Sequence, residues 1–130
     1  MKVLLDTQIA IWALIDQRRI GEAARNLIQD EGSQIFVSAV SVWEIAIKYA
    51  LRKRRGGPPF SGAEALRYFS EAGYELLSIT PRHVVAVEAL PPLHADPFDR
   101  LLIAQALQEP MRLITADVVV ARYGDIALRA

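Results

Sequence analysis

Four residues at the start of the chain, Lys2 to Leu5, form a short run that is apolar without alternation and stops at an acid, Asp6. A strand with one wet face alternates apolar and polar side chains, whereas a strand covered on both faces does not. The run therefore reads as a buried strand of a parallel sheet. Strands of that kind need helices between them and on both faces, and the rest of the sequence supplies that alternation. Thr7 to Ile15 and Gly21 to Asp30 carry apolar residues at helical spacing, Ile35 to Val37 reads as a second strand, and Ser38 opens a helix from about Ala39 to Arg52. Arg52 to Pro59, RKRRGGPP, couples charge to turn residues and reads as a loop. Ser61 to Ala72 is a helix stopped by Gly73, Glu75 to Ile79 a third strand, Pro81 to Leu90 a helix broken by Pro91 and Pro92. A further helix opens at Pro97. Arg112 to Thr115 reads as a strand, Asp117 to Tyr123 as a short helix, and Ile126 to Leu128 as an edge strand. The pattern predicts one α/β domain over residues 1–130, a sandwich with a central parallel sheet. In such sheets ligands bind beyond the carboxyl ends of the strands, near a topological switch point.

The 130 residues are 52% hydrophobic, enough for one full core with little length left for a second domain. Fifteen basic residues balance fifteen acidic ones, so no global positive field advertises nucleic-acid binding, and any attraction for phosphate has to be local. The absence of cysteine excludes disulfides and thiolate metal sites and fits a reducing, cytoplasmic setting. No apolar run approaches the length of ~20 residues that spans a bilayer, and the N-terminus lacks a signal-peptide pattern.

The acids concentrate where the predicted strands end. Asp6 closes the first strand, Glu44 lies one turn into the helix after the second, and Asp117 follows the fourth by one residue. The stretch LHADPFDRLLIAQA, Leu93 to Ala106, adds Asp96 at the N-cap and Asp99 at the third helical position, with Pro97 between them preset for the first turn. Each acid has a plain structural role open to it. Asp6, Asp96, Asp99 and Asp117 suit helix starts, Ser41-Val42-Trp43-Glu44 spells a capping box, and Glu44 can pair with Lys48 at i+4. Asp6, Glu44, Asp99 and Asp117 fall on one rim, however, and four acids there repel one another unless a cation neutralises them. A hard divalent ion such as Mg²⁺ or Mn²⁺ suits a shell of carboxylates and water. Such an ion is commonly completed by phosphate oxygens, which points to phosphodiester hydrolysis. Neither His83 nor His94 has a second histidine at metal-ligand spacing, although His94 lies two residues before Asp96.

Together VLLDT, SAVSVWEIAIK, HADPFDRLLIAQA and LITAD resemble the PIN-domain ribonucleases, and within them the VapC toxins of bacterial toxin–antitoxin pairs. The likeness covers nearly the whole chain in order and spacing. It implies a PIN-like three-layer α/β/α sandwich, cleavage of RNA dependent on Mg²⁺ or Mn²⁺, assembly as a homodimer or toxin–antitoxin hetero-oligomer, and neutralisation by a cognate antitoxin. The family's acids fall on Asp6, Glu44, Asp99 and Asp117. Asp6 and Asp99 are the expected direct metal ligands, Glu44 and Asp117 support them, and Asp96 is an additional candidate outside the core pattern. Thr115 matches a small hydroxyl residue often seen beside the fourth acid. The expected antitoxin surface is the first helix around Ile9 and Trp12 with the helix of Trp43, Trp12 being equally compatible with the core. A non-catalytic binding scaffold on the same fold is the alternative. An aspartyl-phosphate phosphatase or receiver-like domain ranks below both, because no second Asp stands two residues after Asp6 and no Gly-rich phosphate loop appears.

Overall fold

In a computed structural model, residues 1–52, 56–124 and 126–130 are described. Lys53, Arg54 and Arg55 of the basic loop expected at 52–59 lie outside them. In chain order the elements are β1 (Lys2–Leu5), α1 (Thr7–Ile15), α2 (Glu22–Gln29), β2 (Gln34–Ser38), α3 (Ala39–Ala50), α4 (Gly62–Glu71), β3 (Glu75–Leu77), α5 (Pro81–Ala86), α6 (Pro97–Gln108), β4 (Arg112–Thr115), α7 (Val118–Ala121) and β5 (Ala127–Arg129), with 3₁₀ turns at Gln17–Arg19 and Val87–Ala89.

The sheet runs β3-β2-β1-β4-β5 with every neighbouring pair parallel. The chain steps outward through β2 and β3 on one side of β1, then returns to place β4 and β5 on the other. The switch point therefore lies between β1 and β4, where Leu5 pairs with Ile114. That crevice is where a parallel sheet offers a site.

The unalternated run in β1 has the consequence expected of it. Val3 and Leu5 join one core cluster with Ile9, Ala10, Ala24, Ala65 and Phe69, while Leu4 joins a second with Leu102, Ile103, Ala106 and Leu113. Both faces of the strand are dry, and the layers are helix, sheet, helix. Ile9 is fully buried in the first cluster, so it belongs to the core and not to the partner surface proposed around it. Trp12 is only partly buried against the same cluster. Gly62 starts α4 so close to α3 that an added Cβ would sit 2.7 Å from Ala46 Cβ, which leaves no room for a side chain.

Two expected boundaries shift for local reasons. The helix before Pro91 is regular only to Ala86 and finishes as a 3₁₀ turn, and β3 stops at Leu77 because its partner β2 ends at Ser38. The apparent capping box at Ser41 to Glu44 is not one. Ser38 is the cap of α3, its Oγ accepting the Val40 N–H at 2.9 Å, and Ser41 and Glu44 lie inside the helix. Among the described residues no helix is long and apolar enough to cross a membrane.

Candidate metal centre

Asp6 leaves the end of β1 and caps α1. Its Oδ1 accepts the Ile9 N–H at 2.8 Å, and its Oδ2 reaches across the switch point to accept the Ala116 N–H at 3.2 Å. One carboxylate thus ties the first helix to the loop after β4. Burial pushes its pKa up and the charge of Glu44 adds to the rise, while the Thr115 hydroxyl and the two amides pull it back. The same Thr115 hydroxyl accepts the Asp117 N–H at 3.0 Å, which fixes the fourth acid beside the first.

Glu44 is brought to the crevice by α3. The stripe of polar residues along that helix looks solvated on a helical wheel, but Ser41 and Glu44 are buried because the stripe packs against Thr7 at the start of α1. The Thr7 hydroxyl donates to Glu44 Oε1 at 2.7 Å and lies 2.9 Å from Ser41 Oγ. Lys48 Nζ donates to Glu44 Oε2, so the i+4 pair read from the sequence is present. That bond raises the Lys48 pKa against the effect of burial, and the charges of Asp96 and Asp99 raise it further. Lys48 is therefore the rim's own cation.

Asp96 and Asp99 divide the work at the start of α6. Asp96 Oδ1 accepts the N–H of Phe98 at 2.8 Å and of Asp99 at 3.4 Å, which is N-capping. Asp99 faces the crevice, and its pKa is pushed up to about 7, first by burial, then by the charge of Asp96, with Asp6 and Glu44 adding and His94 opposing. Asp117 caps α7 through Oδ1, accepting the Val119 N–H at 2.7 Å and the Val120 N–H at 3.3 Å. Burial pushes Asp117 up as well, but the His94 hydrogen bond and the two amides outweigh it and hold the carboxyl below its usual range.

His94 completes the group. Its Nε2 lies 3.0 Å from Asp99 Oδ2 and 3.0 Å from Asp117 Oδ2. Donor atoms of His94, Asp99 and Asp117 all fall within 4.8 Å of one another. The tightest cluster thus pairs Asp99 with Asp117 and includes a histidine, while Asp6 and Glu44 act on Asp99 through their charges. Sequence reasoning left His94 unassigned and passed over Thr7, whose only signal was its place directly after Asp6. As a donor set, carboxylates from four separate segments with one short-range lysine fit a hard divalent cation.

The model of the PIN domain family matches residues 3–126. The chain belongs to the PIN domain family. It is 31% identical over 117 residues to Ribonuclease VapC22 of Mycobacterium tuberculosis, an alignment covering 88% of this chain and 86% of that protein. Among solved structures, this PIN domain superposes on VapBC2 from Rickettsia felis bound to a promoter DNA fragment with a TM-score of 0.70 at 16% identity, covering 99% of this chain and 98% of the other. It superposes on VapBC-1 from nontypeable Haemophilus influenzae with a TM-score of 0.68 at 14% identity, covering 100% and 97%. At such identities the superpositions establish the PIN fold.

Proposed function

We propose that this PIN domain is a VapC-type endoribonuclease toxin of the cytoplasm, hydrolysing RNA phosphodiester bonds with Mg²⁺ or Mn²⁺ and held off by a cognate antitoxin in a hetero-oligomer. The observation that carries the reading is the crevice at the carboxyl edge of the sheet, where the charges of Asp6 and Glu44 act on Asp99 and where Asp99 and Asp117 meet around His94. The ribonuclease name of the 31% identical relative supports the substrate class.

Asp6 and Asp99 are the residues we assign to hold the ion, with Glu44 and Asp117 supporting them and Asp96 acting as a cap. A divalent cation held there supplies charge neutralisation at phosphorus and acidifies a bound water. The chain's own contribution is to set the carboxylates without freedom to retreat. Asp6 is anchored at both oxygens, Glu44 is held by Thr7 and Lys48, and Asp117 is held by three donors.

A groove of about 450 Å³ runs from Thr7, Glu44 and Lys48 past Trp12 to Arg19, whose guanidinium lies 5.7 Å from the Trp12 ring. This mixed apolar and charged wall, which includes Glu44, suits an antitoxin segment that blocks the crevice. Incubation of purified protein with RNA, with Mn²⁺ or with EDTA, tests the activity. Cleavage that requires the metal and disappears in Asp99→Asn supports the toxin. A chain that binds its antitoxin but cleaves no RNA with all four acids intact is the scaffold instead. Trp12→Ala should weaken antitoxin binding by roughly 2 kcal/mol while free-toxin cleavage persists.

A further inference from the structure

His94 presents its ring to Asp99 and Asp117 at a spacing in which all three side chains are able to ligate one ion. The hydrogen bonds around the ring assign it another part. Its Nδ1 accepts the backbone N–H of Asp96 at 3.0 Å, so that nitrogen carries no proton. A neutral imidazole protonated on the other side presents an Nε2–H, which donates to Asp117 Oδ2 at 3.0 Å, with Asp99 Oδ2 also 3.0 Å from the same nitrogen. The nitrogen facing the acids is a donor, and it has no lone pair to give to a metal.

The segment that carries His94 is held in place with equal care. The Tyr123 hydroxyl accepts the His94 N–H at 2.9 Å and donates to the Pro91 carbonyl at 2.9 Å. Arg100, one turn into α6, donates through one guanidinium nitrogen to the carbonyls of His94 at 3.2 Å and Pro91 at 3.4 Å, and through the other to Val87 at 3.1 Å. Two elements, α6 and the turn after α7, thus clamp the backbone on either side of the ring. Asp99 lies in α6 and Asp117 caps the start of α7, so the imidazole is tied to the helices next to both acids.

We propose that His94 is a positioning residue of the metal centre, an N–H donor to Asp117 that lies against Asp99, keeps the two carboxylates in register and is not itself a ligand. Two carboxylates this close separate unless something bridges them, and a single N–H beside Oδ2 of each does so while leaving further carboxylate lone pairs for an ion. Partners of this kind, hydrogen-bonded to ligands, change metal affinity without touching the metal. The inference rests on the reading of this crevice as a divalent-cation site.

Mn²⁺ serves as the probe because it is both a plausible occupant and paramagnetic. Titration calorimetry on the full chain should show His94→Ala binding Mn²⁺ about 10- to 100-fold more weakly than the parent. His94→Gln, whose terminal amide N–H₂ reaches near the position of Nε2, should recover part of the loss. Electron spin-echo modulation of the Mn²⁺-loaded parent should contain no coupling from a directly bound imidazole nitrogen. A ¹⁵N correlation spectrum of the metal-free parent should show the His94 proton on Nε2. An imidazole coupling that vanishes in His94→Gln overturns the positioning role and makes His94 a ligand, leaving the metal centre intact. Unchanged Mn²⁺ affinity in folded His94→Ala overturns it too. A parent that binds no Mn²⁺ overturns the metal-centre reading itself and this inference with it.

Discussion

The two histidines of this chain are wired alike and do different things. His83, fully buried at the start of α5, accepts the Thr80 N–H on Nδ1 at 3.0 Å and meets Glu109 through Nε2 at 2.7 Å. His94 accepts the Asp96 N–H on Nδ1 at 3.0 Å and meets two acids through Nε2. In each case a backbone amide selects the tautomer. Around His83 every polar partner is answered. Gln105 lies 3.3 Å from Nδ1, donates to the Ser78 carbonyl and accepts the Ser38 hydroxyl, and Ser38 in turn caps α3. That network is closed, with a single acid facing solvent at its end. Around His94 two acids face one N–H, and burial with the charge of Asp96 pushes the pKa of Asp99 up to about 7. A histidine in a closed network stabilises a fold, whereas a histidine facing crowded acids with a shifted pKa marks a candidate functional site.

The largest effects should follow from removing the acids whose charge the crevice makes costly. Asp6→Asn and Asp99→Asn should each lower metal-dependent RNA cleavage by more than about 100-fold, beyond what loss of an outer partner costs. Their metal-free folds should hold or gain stability, since a carboxyl that is costly to ionise is replaced by a neutral amide. Cleavage assays paired with denaturant unfolding read both quantities. Parental cleavage by both variants would remove the crevice from the mechanism.

His83→Ala should do the reverse. It opens a cavity, leaves the Thr80 N–H without its acceptor and strips Glu109 of its partner, for a loss of about 3 kcal/mol of stability. Mn²⁺ affinity of the folded variant should stay within about twofold of the parent. If His83→Ala instead weakens Mn²⁺ binding as much as His94→Ala, the two networks are one, joined through Gln105 and Ser38, and the contrast between them fails.

Much of this contrast was legible in the sequence and part of it was not. The unalternated KVLL run announces a doubly covered strand, and the positions of Asp6, Glu44 and Asp117 after strands assign them to one edge of the sheet. Helical spacing gave α3 its polar stripe but not its direction. A wheel distinguishes one face from another without saying which face meets Thr7, so the stripe was open to being surface. The same limit applies to Ile9, whose apolar side chain suits a core and an interface equally until the sheet is laid under it. His94 was visible as a neighbour of Asp96 and no more. Its tautomer is decided by a backbone N–H two residues on, and its two acids arrive from residues 99 and 117 on different helices.

The pH dependence of stability sharpens the comparison from the side of the acids. A carboxyl whose pKa rises on folding holds its proton more tightly in the folded state, so it favours the fold at low pH and loses that contribution as pH climbs through its folded value. For Asp99 the window runs from its usual 3.8 to about 7, and Asp6 shifts in the same direction. Asp117 shifts the other way, which places its window below the usual carboxylate range. Metal-free protein should therefore be less stable at about pH 7.5 than at about pH 5, by about 2 kcal/mol once solvent screening of the partly exposed Asp99 is allowed for. Saturating Mn²⁺ should abolish the difference, and so should Asp99→Asn in large part. Equal metal-free stability at both pH values would mean that Lys48 and His94 already compensate the acids in full.

Asp96→Asn should have the smallest effect, and its value lies in separating the two tasks of one side chain. Asp96 Oδ1 caps α6 through the amides of Phe98 and Asp99, and its charge is the second cause of the raised Asp99 pKa. Asparagine keeps the cap, so stability should change by no more than a few tenths of a kcal/mol, whereas Asp96→Ala should lose about 1 kcal/mol. Both substitutions remove the charge, so in both the upper limit of the pH window should move downward from about 7, read by repeating the denaturant series across pH. The backbone N–H that fixes the His94 tautomer is untouched by either substitution, and cleavage by Asp96→Asn should remain near the parental level. If Asp96→Asn instead loses Mn²⁺ binding as Asp99→Asn does, the carboxylate is a ligand. The acid read here as a cap then joins the metal shell, and the division of labour at the start of α6 disappears.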